Sequence, residues 1–385
     1  MSGNGPRPNG GEILDPDAST IQRARALAQH NWSVILGAVI ALLLFRWLMI
    51  DGLGMVADMV DVRIGGYEGL PSLILIYGII VIGFNLLLGY VGLLSFGHAA
   101  FFGTAAYVAG IFSAEVSGSP LLMVVAGTVA AIILAWPIGF LSIRRTGVYF
   151  AVLTLTFGQM LYFYALGPGA WLTNGDNGYS DIQTGDLLGS IRLDAPVPGL
   201  EFLLGHWQYV FVSIFMLLAI IVANRIVQSP YGLIFTALGE NEHRVSFVGL
   251  NVFRYKLMAF IISAAFAGVG GSLFLIHESY IHPTTGLYWI TSGDFVIMSV
   301  LGGTGSLVGP VFGALVFEYI SNVISGVSLP VIGAIGSLWR LALGAAFVII
   351  VWFLPQGIYG ALKSLIGRVG RLIERQLNQT AGGDD

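Results

Sequence analysis

The chain has 385 residues, of which 56% are hydrophobic and 10% charged, with a formal net charge of -4 and no cysteine. Soluble domains carry about 25% charged residues, so most of this chain is solvated by lipid, and its mild acidity excludes a basic surface for nucleic acid. The absence of cysteine excludes disulfides, thiolate metal sites and cysteine catalysis together.

Residues 1–31 are polar, hold Glu12, Asp15 and Asp17, and lack an early apolar core. They read as a cytoplasmic tail with a short helix from Ser19 to His30, not as a cleaved signal peptide. A bilayer core of about 30 Å needs about 20 apolar residues per helix. On that ruler spans fall near 32–50, 70–90, 98–114, 120–142, 148–166, 207–227, 256–276, 292–303, 308–325 and 331–354. The eighth and ninth are short or interrupted by Gly302, Gly303, Gly305, Gly309 and Pro310, and read equally well as broken or re-entrant helices. The run LILIYGIIVIGFNLLL is apolar on every face, unlike the alternating strands of a membrane barrel. The expected fold is therefore all-α: a polytopic membrane helical bundle over 32–355 with about ten spans, followed by a cytoplasmic tail over 356–385.

Every Lys and Arg except Arg46, Arg63, Arg192 and Arg340 falls on the side of the N-terminus in this arrangement. Basic residues near span ends favour the cytoplasm, which places both termini there. The loop from Gly167 to His206 carries Asp176, Asp181, Asp186, Asp194 and Glu201 against Arg192, and is expected to face outward.

Two glycine clusters interrupt the oily pattern. The first, GYVGLLSFGHAAFFG, contains Gly89, Gly92, Gly97 and Gly103, and the second, LGGTGSLVGPVFGA, occupies 301–314. Small residues let helices approach closely in lipid. Alternatively the chain breaks between Ser95 and His98, since irregular backbone survives at membrane depth where protein or water satisfies it. Matched interruptions in two halves are also a pointer to a transport path at the midplane. Polar side chains in or at the edge of apolar segments, namely Asn85, Ser95, His98, Thr154, Thr156, Gln159 and Glu318, are candidates for that path. Each also has a plainer role, as a bond to the preceding helical turn, glue between helices or a turn cap.

The inside segment 229–256 differs from the other loops. Ser229 followed by Pro230 is a helix start. Ile234, Ala237, Leu238, Val245 and Val248 give a helix-spaced apolar face, and Glu240, Glu242, His243 and Arg244 form a charged cluster. Gly249 is placed to close the helix and Asn251 to cap the next one. Such a segment either lies on the membrane surface or docks into a cytosolic partner. No G-x-x-x-x-G-K-[ST] loop surrounds Lys256 or Lys363, no H-E-x-x-H or G-x-S-x-G motif is present, and the histidines lack metal-ligand spacing. The chain reads as neither an ATPase, a metalloenzyme nor a serine hydrolase.

The blocks NLLLGYVGLLSFGHAAFFGTAAYVAG, RRTGVYFAVLTLTFGQM, SPYGLIFTALGENEHRVSFVGLNVFRYKLMAFIISAAFAGVGGSLF and VIMSVLGGTGSLVGPVFGA, in order over about 70–355, resemble the LivM-type permeases of branched-chain amino acid ABC importers. The family is similar in turn to sugar-importer permeases with about ten helices in two pseudo-repeated halves. The resemblance implies a LivH-type partner permease, LivG-type and LivF-type ATPases that bind ATP and Mg, a periplasmic substrate-binding protein, and residence in a bacterial inner membrane. No cofactor is implied in this chain. Glu240, Asn241, Glu242, Arg244 and Gly249 then correspond to the coupling region inserted into an ATPase. Thr173, Asn174, Asp176 and Asn177 fall in the outer loop facing the binding protein. The chain departs from the family pattern at Gly239, Val245 and TNGDNG, residues 173–178. The function expected is ATP-driven uptake of branched-chain amino acids or a related small polar solute by alternating access. An ion-coupled secondary transporter of broken-helix type is the alternative.

Overall fold

The computed structural model describes residues 31–52, 67–326 except 188, 328–329, 333–334, 339–354, 357–361 and 363–364. The expected helix over 19–30, Arg63, and most of both tails lie outside the described residues. The long helices are α1 (Asn31–Trp47), α2 (Leu70–Asn85), α3 (His98–Glu115), α4 (Pro120–Ser142) and α5 (Val148–Leu166). Short α6 (Ala170–Thr173) and α7 (Glu201–Leu204) lie in the acidic loop before α8 (Trp207–Gln228). Next come α9 (Pro230–Glu240), α10 (Glu242–Phe247), α11 (Val252–Glu278), α12 (Pro283–Gly286), α13 (Trp289–Gly302), α14 (Gly309–Gly326) and α15 (Trp339–Phe353). α1 and α2 each continue into a π-helical turn, over Leu48–Gly52 and Leu86–Tyr90. Among the described residues the bundle is all-α apart from a two-residue antiparallel pairing of Ser328–Leu329 with Gly333–Ala334 and isolated bridges in the loops. That pairing corrects the last span, whose helix starts at Trp339 instead of 331.

Among the described residues, five helices are long and apolar enough to cross a membrane: α2 with its π turn, α4, α5, α8 and α11. α13, with 14 residues, is about 21 Å long at 1.5 Å per residue, short of a bilayer core of about 30 Å. It folds back on α14 as a tight hairpin. A Cβ on Gly302 would strike the Gly309 carbonyl, and one on Gly313 the Met298 carbonyl.

The centre of the bundle is α2 and α11. Of their most apolar stretches 83% and 72% of residues are buried, against 33% for α4 and 28% for α5 and α8. α2 packs against α8, α11, α13 and α14. Small residues allow this density. A Cβ on Gly271 of α11 would strike the Phe102 carbonyl of α3, so the two backbones touch, as close packing in lipid requires. α4 carries Pro137 in its interior. The loops gather at two ends. Gly239 meets Tyr90, and Gly357 meets Gly303, at one end. At the other, Tyr179 bridges Ile281 and Gly118 meets Gln183.

Candidate functional site

The first interruption runs from Val91 to Gly97, between the π turn of α2 and the start of α3. Gly92 has φ of 77°, a conformation that favours glycine. The interruption is closed by side chains around it. The Ser292 hydroxyl of α13 accepts the Ala99 N–H at 2.8 Å, capping α3 from another helix, and the Ser95 hydroxyl accepts the Gly97 N–H at 3.3 Å. A Cβ on Gly97 would lie 2.5 Å from the Thr154 carbonyl of α5.

His98, the first residue of α3, is fully buried. Its Nε2 bonds the Ser263 hydroxyl at 2.8 Å, and the rings of Phe84, Phe101 and Phe260 stand edge-on around it at 4.8, 5.5 and 5.9 Å. This is an aromatic socket that fixes the end of α3.

The second interruption, Gly303 to Val308, joins α13 to α14. Gly303 and Gly305 have φ of 106° and 85°. The Gly303 N–H donates to the Ser299 and Val300 carbonyls, and the Ser306 hydroxyl accepts the Gly309 N–H at 3.0 Å. Asn85, on α2 six residues before the first interruption, reaches the second. Its amide nitrogen donates to the Ser306 carbonyl at 2.8 Å and its oxygen accepts the Gly305 N–H at 3.2 Å. Gly89, one turn further along α2, leaves room for this turn: a Cβ there would sit 2.6 Å from the Gly305 nitrogen.

The path candidates thus divide. Ser95, His98 and Thr154 gather at the first interruption and Asn85 reaches the second. Thr154 is buried and donates to the Ala151 carbonyl at 2.9 Å. Thr156 also bonds back within α5, to the Val152 carbonyl at 2.9 Å, but is exposed and lines a recess of about 550 Å³ with Arg145, Tyr149, Val152 and Leu153. Gln159 follows on the same helix with a buried, unbonded Nε2. Glu318 is buried on α14, apart from both interruptions. On α5 an exposed stripe of Tyr149, Val152, Thr156, Met160 and Phe163 runs the length of the helix.

The segment 229–251 forms two helices instead of one. Asn241 turns to extended backbone, φ -163°, and its side chain caps α10 by accepting the Arg244 N–H at 3.2 Å. This break resets the helical phase, so the expected apolar face is only partly realised. Leu238 and Val245 are buried, whereas Ala237 and Val248 are exposed, and Phe235 takes their inward place. Ser229 occupies the cap position but its hydroxyl donates to the Ile226 carbonyl at 2.6 Å instead of capping α9. Asn251 does cap α11, accepting the Arg254 N–H at 3.2 Å, and Gly249, with φ of 85°, follows the end of α10. The outer surface of α9–α10 combines exposed Leu233, Phe247 and Val248 with exposed Glu240, His243 and Arg244. Glu242 is different. Its carboxylate pairs with Lys256, whose side chain is 2% exposed. Sequence reasoning missed the role of Lys256, although a lysine just over one turn beyond a capping Asn251 and followed by Leu257 and Met258 signals a charge carried into the bundle.

In the acidic loop, Thr173 is buried and donates to the Ala165 carbonyl at 2.6 Å, so its hydroxyl is turned into the protein. Asn174, Asp176 and Asn177 are exposed. Their loop is clamped from the α11–α12 linker: His282 Nε2 lies 2.8 Å from the Asp176 carbonyl and the Tyr280 hydroxyl donates to the Asn177 carbonyl at 3.2 Å. Further along, Arg192 holds Asp194 in a two-pronged pair at 3.1 and 2.6 Å. The bond from Arg192 keeps the Asp194 carboxyl below its usual range. Among the described residues no group of three or more His, Asp or Glu is placed to hold a metal ion.

Residues 67–351 match a family described as branched-chain amino acid transport system / permease component. The chain is 29% identical over 314 residues to the high-affinity branched-chain amino acid transport system permease protein LivM of Escherichia coli (strain K12), covering 76% of this chain and 70% of that one. It is 26% identical over 302 residues to LivH, a permease protein of the same description from the same organism, covering 74% and 91%. It is also 27% identical over 139 residues to the ribose import permease protein RbsC of Haemophilus influenzae, covering 35% and 41%.

Proposed function

The chain belongs to the branched-chain amino acid transport system / permease component family, and from that premise we propose that it works as one half of a paired pathway for branched-chain amino acids or a related small polar solute such as urea, an amide or an organic acid. It is a multi-pass transmembrane permease subunit of an ABC importer and performs no bond chemistry itself. Its partners in this reading are a LivH-type permease, LivG-type and LivF-type ATPases that carry ATP and Mg, and a periplasmic binding protein. The membrane is the bacterial inner membrane, with both termini inside.

One observation carries the reading. The outer surface of α9–α10 presents Phe247 and Val248, 88% and 80% exposed, among Glu240, His243 and Arg244. An exposed apolar patch rimmed by charge marks a protein or membrane contact, and in this reading the contact is an ATPase. The patch lies beside the first interruption, where Gly239 meets Tyr90, so force applied to it reaches a non-helical stretch inside the bundle. The exposed stripe of α5, with polar Thr156 in its middle, is the face the second permease covers. LivM and LivH are both named as permease proteins of one kind of transport system, which supports a pair of unlike permeases. The pathway then runs between the two subunits along α5, and ATP-driven closure of the ATPases rocks the halves between inward and outward openings.

The test is reconstitution with the two ATPases and the second permease in vesicles. Glu240→Lys with Phe247→Asp should leave the chain inserted, yet abolish co-purification of the ATPases and ATP-dependent uptake, because like charge and a desolvated carboxylate at an interface cost several kcal/mol. Normal co-purification and uptake in that variant would remove α9–α10 as the docking surface.

A further inference from the structure

We propose that the Glu242–Lys256 ion pair is a strut that transmits movement of the α9–α10 segment into α11, so that Lys256 is a positioning residue for transport and Glu242 serves it from inside the subunit instead of contacting an ATPase. The proposal rests on the reading of α9–α10 as the ATPase docking segment, and deepens it by identifying how the segment is tied to the bundle.

The pair is unequal. Lys256 is 2% exposed and Glu242 37% exposed at the side chain. If α10 drew away from α11, the carboxylate would rehydrate, but the ammonium would be left buried without its counter-charge, and breaking a buried pair from one side is strongly unfavourable. The buried charge therefore makes α11 follow α10. A long lysine stem near the end of a spanning helix ordinarily reaches toward water. Here it is covered, and Glu242 is the side chain it bonds.

The same face of α11 leads to the first interruption. Phe260 and Ser263 lie four and seven residues beyond Lys256, one and two helical turns along. Ser263 bonds His98 at 2.8 Å, and Phe260 stands edge-on to His98 and Phe101 at 5.9 and 5.4 Å. His98 is the residue at which helix resumes after the interruption. On the other side of the interruption, Gly239 at the end of α9 rests on the Tyr90 carbonyl. The segment 230–247 thus holds the interruption from both of its ends: directly at Tyr90, and through Lys256 and α11 at His98. An ATPase that tilts this segment changes the separation of those two ends.

The experiment uses the reconstituted transporter and reads solute moved per ATP hydrolysed, alongside ATPase co-purification. Lys256→Met and Glu242→Gln should each lower the solute-to-ATP ratio by about tenfold, within the range of coupling between linked sites, while the ATPases still co-purify. The double variant should be no worse than either single one, and Lys256→Arg should keep most of the ratio. A wild-type ratio in Glu242→Gln or Lys256→Met overturns the strut, as does loss of ATPase co-purification in Glu242→Gln, which would make Glu242 a docking contact. Should Lys256→Met not fold, Glu242→Gln alone decides by the same two readings. If the wild-type assembly shows no ATP-driven uptake, the permease reading has failed instead. The pair is then judged in the isolated chain, where additive losses of thermal stability for the two single substitutions refute it.

Discussion

Between Val91 and Gly97 the chain is held by its neighbours: Ser292 of α13 caps the next helix, Thr154 of α5 lies on Gly97, and Gly239 of α9 lies on Tyr90. Between Gly303 and Val308 it is held in good part by itself, through Gly303 to Ser299 and through the Ser306 hydroxyl to Gly309, with the Asn85 side chain and the backbone contact of Gly357 on Gly303 as ties from elsewhere. Two stretches with the same glycine-rich composition are therefore different mechanical objects. A segment closed by its neighbours changes shape when they move, and it is the one in contact with α9. A self-closed turn moves as a piece, and Asn85 ties it to α2.

The largest effect is expected where this contrast is sharpest. Gly97→Val forces a Cβ against the Thr154 carbonyl, with backbone on both sides and no flexible side chain to yield. Overpacking of this kind costs about 3 kcal/mol, and the chain should lose monodisperse yield and thermal stability in detergent. The same substitution at Gly305, whose Cβ would meet nothing within 4 Å, should be limited by its φ of 85° alone and cost less. Equal losses at the two positions would erase the distinction.

Asn85→Ala comes next. It leaves the Gly305 N–H and the Ser306 carbonyl without their partner, at about 2 kcal/mol, and should lower uptake while ATPase docking persists. Asn85→Asp keeps an acceptor for Gly305 but loses the donor to Ser306, and should do no better. Wild-type uptake in Asn85→Ala would show that the second interruption works without its tie to α2.

The smallest effect lies far from both. The Arg192–Asp194 pair is about 70% exposed on each side, so Asp194→Asn should alter only the acidic loop. The pair holds the Asp194 carboxyl below its usual range. Its contribution is therefore present above the ordinary carboxylate pKa and is lost as pH falls through the lowered one. Limited proteolysis of the loop should accelerate on acidification in the wild type and be less dependent on pH in the variant, with uptake unchanged in both.

Much of the architecture was legible because polar residues punctuate the oily runs. α4 and α5 start and stop where hydropathy places them, and α11 starts directly after Asn251, the cap read from the sequence, so that it runs beyond the apolar stretch 256–276 at both ends. Which face each helix buries was not legible. α2 and α8 are similarly apolar, yet one is the hub and the other faces outward, because in lipid an apolar surface suits either environment. The site was half legible. The positions of Ser95 and His98 at the first interruption follow from the glycines around them, but the contact of Thr154 on Gly97 and the bond from Asn85 to Ser306, which spans 221 residues, are encoded by no local pattern. In the sequence Lys256 reads only as a lysine outside any nucleotide-binding loop, and its partner fourteen residues earlier becomes visible only once α9 and α10 are seen to part at Asn241.

That same long bond orders the making of the molecule. Asn85 leaves the ribosome 221 residues before Ser306, an interval of tens of seconds at about 5–20 residues per second. Over that time α2 is already apolar enough to enter the bilayer, but its amide has no partner, and an unbonded amide in hydrocarbon is unfavourable by several kcal/mol. The hub of the bundle therefore keeps a wet side until α13 and α14 arrive to receive that amide at the Gly305 turn.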